Sequence, residues 1–174
     1  MPKIIKNAEE TLLAAARRQA LSQGYTGMTM RSVAMECGFS VGTVYNYFEN
    51  KDVLVARLVL KDWLATMETM RAECAGATGP AAAIDSVHRG LESFINLYSA
   101  LFSDDAAARS YASAVGQYHT QLREQVAELL MPICEKFAAE PTPQMAVFVA
   151  EALITWTTQN KDFDGIKELL LRLF

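Results

Sequence analysis

Apolar positions recur at three- and four-residue steps along almost the whole chain, the period of helices that bury one face. Val55, Val59, Trp63, Met67, Met70 and Cys74 predict a long helix that Asn50 caps and that Ala75-Gly76-Ala77-Thr78-Gly79-Pro80 ends. A second stripe, Ile84, Val87, His88, Leu91, Phe94, Ile95 and Tyr98, predicts a helix from about Pro80 to Phe102. Ser103-Asp104-Asp105 offers caps for the next stretch, which stays helical to about Ala139. Two elements are expected there, with a break or bend near Gly116 and a kink at Pro132. Thr142 as cap and Pro143 at the first helical position open a helix to about Gln159. A last helix starts at Asp162 and carries Ile166, Leu169, Leu170, Leu173 and Phe174 on one face. Period-two alternation and hairpin turn signals are missing, so the fold class is all-α.

Near the N-terminus the periodic segments become short. Thr29 can cap a helix in which Val33, Ala34 and Cys37 share a face, and small Ala34 suits a close helix crossing. Gly38 follows as a residue able to take positive φ. Ser40 caps a second short helix whose Val44 and Phe48, four apart, face inward. Thr43, Asn46 and Tyr47 are left pointing outward. Two short helices about a glycine turn, the second with polar residues near its start on an open face, make a helix-turn-helix suited to reading a DNA major groove.

The segment resembles the DNA-binding domain of the tetracycline-repressor (TetR) family over roughly residues 4 to 55. Leu12-Leu13-Ala14-Ala15-Ala16 and Gly24-Tyr25 look like the family's first helix and its closing turn. Ser40-Val41-Gly42-Thr43-Val44-Tyr45-Asn46-Tyr47-Phe48 and Asn50-Lys51-Asp52-Val53-Leu54 match its recognition helix and the start of its long fourth helix. One departure stands out: Gln19-Ala20, with Leu21 one place on, replaces the Leu-Phe pair usual before the glycine. The resemblance implies phosphate contacts from Tyr45 and Lys51, assisted by Tyr47 and Thr29. It implies base reading by Val41, Thr43 and Asn46 with Arg31 beside them, Ser40 opening the helix and Gly42 letting backbones approach. An apolar branch at Val41 suits a thymine methyl group.

Charge refines this picture. The 174 residues carry a net charge of −4. The first 52 hold six basic residues against five acidic ones, so DNA contact has to come from placed side chains and not from a bulk positive field. Cys37, Cys74 and Cys134 are isolated, which fits free thiols in a reducing compartment better than a disulfide framework or a zinc site. Neither a signal-peptide core nor a membrane span is read from the sequence, and the expected location is cytoplasmic. Catalysis finds no support either: His88 and His119 lack a metal-protease context, Asp85 and His88 form a single ligand pair where a bridged site needs two, and no nucleophile elbow or phosphate loop occurs. No metal or cofactor is expected.

Residues 1–50 are therefore expected to form a helix-turn-helix DNA-binding domain and residues 51–174 a helical ligand-binding and dimerisation domain. Trp63, Met67, Met70, Phe94, Tyr98, Phe102, Tyr111 and Tyr118, with His88 as a polar group, either line an apolar cavity or simply fill a core. The resemblance favours the cavity, because TetR-like regulators keep a small-molecule pocket among these helices. Phe148, Ala152 and Trp156 with Leu169, Leu170 and Leu173 make half of a four-helix bundle between two subunits, the alternative being burial within one chain. The resulting expectation is a homodimeric, ligand-responsive repressor of an operator on double-stranded DNA. The alternative is a helical ligand-binding or protein-interaction module without sequence-specific DNA binding.

Overall fold

The computed structural model describes residues 7–102 and 105–174, and for residues 100, 102 and 105–119 the backbone alone. The described residues form eight helices and no strand: α1 (Ala8–Gly27), α2 (Met30–Glu36), α3 (Val41–Tyr47), α4 (Lys51–Ala75), α5 (Pro80–Phe102), α6 (Asp105–Phe137), α7 (Pro143–Thr158) and α8 (Phe163–Leu171). They divide into two compact units. One takes α1 to α3, α4 as far as Asp62, and the segment from Leu97 to Ser113; the other takes Trp63–Asn96 and Ala114–Phe174.

In the first unit α1 buries Leu12, Leu13, Ala15, Ala16 and Ala20. Its regular geometry ends at Gly24, whose φ of 71° and ψ of −179° suit glycine, and the Met28 N–H closes the turn on the Gly24 carbonyl. Thr29 caps α2 in a reciprocal box with Ser32. At the other end Gly38, at φ 67°, lets its own N–H reach the Met35 carbonyl and the Phe39 N–H reach the Ala34 carbonyl, at 3.2 and 2.9 Å. Ser40 caps α3 by accepting from the Thr43 N–H, and Val44 and Phe48 are buried. The Asn50 side chain accepts the Val53 N–H at the start of α4.

The Gln19 departure has a structural reason. Gln19 is buried, its amide N–H donates to Glu36 at 2.6 Å, and its amide oxygen accepts the Ser32 hydroxyl at 2.6 Å. Arg18 adds a 2.7 Å ion pair to the same carboxylate. A polar clamp thus joins α1 to α2 at this departure, and Leu21 is left exposed. Gln19→Ala should destabilise the fold by about 1–3 kcal/mol, since it strips a buried amide from two partners. The bonds from Gln19 and then Arg18 hold the Glu36 carboxyl below the ordinary carboxylate range. A lowered folded-state pKa gives stability that is present above the unfolded value and lost as pH falls through the folded one. Denaturant melts from pH 7 to pH 3 should therefore show a smaller acid-induced loss in Gln19→Ala than in the parent chain; equal losses would remove Gln19 from the clamp.

In the second unit α4 and α5 approach closely because Gly90 has no side chain: an added Cβ would overlap the Met70 sulfur. Trp63, Met67, Met70 and Cys74 on α4 and Ile84, Val87, Leu91 and Phe94 on α5 are buried. One sequence expectation fails here. The stretch after Asp104 is a single 33-residue helix, α6, with Pro132 inside it and no break at Gly116. A lone glycine costs a helix only about 1 kcal/mol relative to alanine, and the neighbours Ala112, Ala114 and Gln117 are good helix formers. Thr142 caps α7 with Pro143 in its first turn, and Asp162 caps α8.

Candidate nucleic-acid interface

The short length of α3 and its single buried residue, Val44, leave most of its surface outward. Gly42, Tyr45 and Asn46 are exposed, Tyr45 at 52%, while Val41, Thr43 and Tyr47 are half-buried. Thr43 shares a 2.8 Å hydroxyl contact with the capping Ser40. Packing does not explain the glycine at 42: an added Cβ would meet only the Ser40 hydroxyl oxygen, at 3.8 Å. The side of α3 at that position is open, and a narrow backbone there permits the approach of a large surface.

The cations of the unit are unequally committed. Arg17 pairs with Asp62 at 2.6 Å, and Arg18 with Glu36. Arg31, on α2, is exposed and has no ion pair among the described residues. Lys51 lies at the head of α4 with its ammonium 3.8 Å from the centre of the Tyr25 ring, and the Tyr25 hydroxyl in turn donates to Asp52. This arrangement positions the Lys51 charge beside the turn that follows α3. Thr29 is exposed, but its hydroxyl oxygen serves the α2 cap. Nine of the ten expected DNA-facing residues therefore lie on or cap α2 and α3, Lys51 on α4 is the tenth, and Arg31 and Lys51 are the cations. Sequence reasoning missed the Tyr25–Lys51–Asp52 cluster, although the adjacent Lys51 and Asp52 were a visible signal.

The residues expected to line an apolar pocket behave differently. Trp63 and Phe94 meet edge to face at 5.1 Å, and the Trp63 indole N–H donates to Gln125 at 2.6 Å. With Met67 they fill the core of the second unit. Tyr98 falls in the first unit, fully buried, and donates to Asp62 at 2.7 Å; burial and then that carboxylate push its phenol far up. A stripe of large side chains is first a packing surface, and Trp63, Met67 and Phe94 are buried in it. Met70 borders a cleft of about 230 Å³ with Thr66, Glu73 and Arg89 among its walls. His88 borders another, of about 370 Å³, and Phe102, Tyr111 and Tyr118 lie outside the described side chains.

On α7 and α8 an apolar face stays in solvent: Phe148 is 59% exposed, Leu169 55% and Leu173 41%. Trp156 is half-buried beneath the Lys161 ammonium. Two of the expected interface residues are buried instead. Leu170 lies inward with Ile166, four residues away, while Leu169 and Leu173 form the outward pair; Ala152 lies inward with Val149 and Leu153. Among the described residues no helix is long and apolar enough to cross a membrane.

Helices α1 to α3, with α3 open and capped by Ser40, define a helix-turn-helix. Residues 12–58 match the model of the bacterial regulatory proteins, tetR family. The HTH-type transcriptional regulator HbdR of Aromatoleum sp. (strain CIB) is 34% identical over 67 residues, a match that covers 38% of this chain and only 29% of that relative. In fold, the TetR family repressor AlkX of Dietzia sp. aligns over 94% of this chain and 97% of its own at a TM-score of 0.63 and 21% identity. A TetR-family transcriptional regulator from Streptomyces coelicolor aligns over 95% and 99%, at 0.63 and 19%. Residues 12–58 thus carry the sequence pattern of the tetR family's helix-turn-helix segment, and nearly the whole chain shares its fold with solved TetR-family structures.

Proposed function

We propose that the protein is a homodimeric transcriptional repressor that binds operator DNA through α3 and leaves it when a small molecule occupies the second unit. The observation that carries the reading is the exposed face of α3, where Gly42 gives room that packing does not use and Arg31 and Lys51 supply charge from the flanking helices. Tyr45, Tyr47, Thr29 and Lys51 hold phosphate; Val41, Thr43, Asn46 and Arg31 read bases. Phe148, Leu169 and Leu173 pair two copies, which gives the two half-sites that one head of this size needs for useful specificity. Coupling runs along α4, which is continuous from Lys51 to Ala75 and supplies residues to both units. A coupling of about 1–3 kcal/mol is typical of such switches.

A gel shift against the DNA that flanks the protein's own gene tests the reading. Retardation that survives competitor DNA supports a repressor, whereas none would leave a helical ligand-binding module. Lys51→Ala should weaken binding to every sequence alike and flatten the dependence of log affinity on log salt by about one unit per subunit. An unchanged slope would take Lys51 out of the phosphate set.

A further inference from the structure

The cleft beside His88 has a chemistry that the operator reading does not use. Thr157 has one hydroxyl proton, and it is donated to the Leu153 carbonyl at 2.7 Å. The 3.0 Å contact between that hydroxyl and His88 Nδ1 therefore has His88 as the donor. Phe163 stacks on the imidazole at 3.6 Å and 9°, which locks the ring. Burial lowers the His88 pKa from its ordinary value, which favours the neutral ring at pH 7. A neutral imidazole with its proton on Nδ1 carries a lone pair on Nε2.

Glu92 lies four residues on, one turn along the same face of α5, and lines the same cleft. It is exposed and has no ion pair among the described residues. The surrounding charges are mostly spent: Asp85 pairs with Lys167 at 2.6 Å and Arg89 with Glu73 at 2.8 Å. Lys161 also borders the cleft, but its ammonium is drawn onto the Trp156 ring at 4.8 Å. Asp164, in the first turn of α8, adds a second negative charge near His88. The polar wall thus offers acceptors and a surplus of negative charge, while Ile95 and Phe163 give it an apolar side.

From this we infer that the roughly 370 Å³ cleft between α5 and the α7–α8 corner is a binding site for a primary amine on a short apolar stem, with Glu92 and His88 Nε2 accepting from its ammonium. An ammonium group has three donors in a tetrahedral spread, which lets one group bridge two acceptors a helical turn apart. The inference deepens the effector reading by naming a ligand class, and its test measures binding without DNA, so its failure leaves operator binding standing.

The test is a titration of the full, nitrogen-15-labelled chain at pH 7 with n-butylammonium chloride, following the two histidine rings by NMR. His88→Gln identifies which signals are which. The expected result is a saturable shift of the His88 ring nitrogens with the His119 ring unmoved, and little response to tetramethylammonium, which has no N–H to donate, or to sodium butyrate. Glu92→Gln, at an exposed position that keeps the fold, should weaken the interaction about tenfold or more, because a charge-assisted bond becomes a neutral one. The inference is overturned if butylammonium gives no saturable shift, if tetramethylammonium or butyrate shifts His88 equally, or if Glu92→Gln binds as the parent chain does.

Discussion

Phe148→Glu combined with Leu173→Glu should yield a folded monomer whose operator affinity is lower by about 10²–10⁴-fold. Both side chains are largely in solvent in the single chain, at 59% and 41% exposure, so glutamate at either position disturbs little internal packing. In a dimer the same positions would bury two to four carboxylates against an apolar face without partners, which association cannot sustain. The affinity loss follows from avidity: with two heads linked, the second half-site binds at a high effective concentration, and a monomer forfeits that factor. Sedimentation gives the mass, circular dichroism the helix content, and a gel shift the affinity. A variant that remains dimeric would move the subunit interface away from α7 and α8. A monomer that binds DNA as tightly as the parent chain would separate dimerisation from operator recognition.

Gly42→Leu should raise thermal stability slightly while lowering operator affinity by about 1–3 kcal/mol, or roughly 5- to 150-fold. The two changes have opposite signs for separate reasons. Leucine is the better helix former by up to about 1 kcal/mol, and its Cβ at 42 would meet only the Ser40 hydroxyl oxygen, at an ordinary 3.8 Å. The same open space is where a DNA backbone has to come close, and an isobutyl group there holds it off. A melt and a gel shift on one preparation suffice. Equal affinity in the variant would show that the Gly42 side of α3 faces solvent in the complex; a fall in stability would mean that the space is used within the protein.

The caps and turns were legible because each rests on a local rule. Thr29, Ser40, Asn50 and Thr142 accept backbone N–H groups where the sequence put them, and Gly24 and Gly38 take the positive φ that their turns need. Gly116 was misread by weighting a single weak helix former over a strong helical neighbourhood. The apolar stripes told which faces of α4 and α5 are buried but not against what, so a packed core and a lined cavity looked alike. Tyr98 illustrates the limit: its position on the α5 stripe is the same whether it faces a ligand or, as here, Asp62 and the first unit. Leu170 and Ala152 show another, since a stripe wide enough to serve both the core and a partner does not announce which of its residues serve which. The Gln19 clamp was visible only as a departure, because long-range pairs such as Gln19 with Glu36 leave no periodic trace.

The central claim, that two α3 helices read one operator, is tested most directly by selecting binding sites from randomised double-stranded DNA with the purified full chain. The expected result is enrichment of a two-fold symmetric motif whose half-sites lie about 34–36 Å apart centre to centre, or a multiple of one helical turn. Recovery of no motif, or of a single asymmetric site bound by one copy, would contradict it.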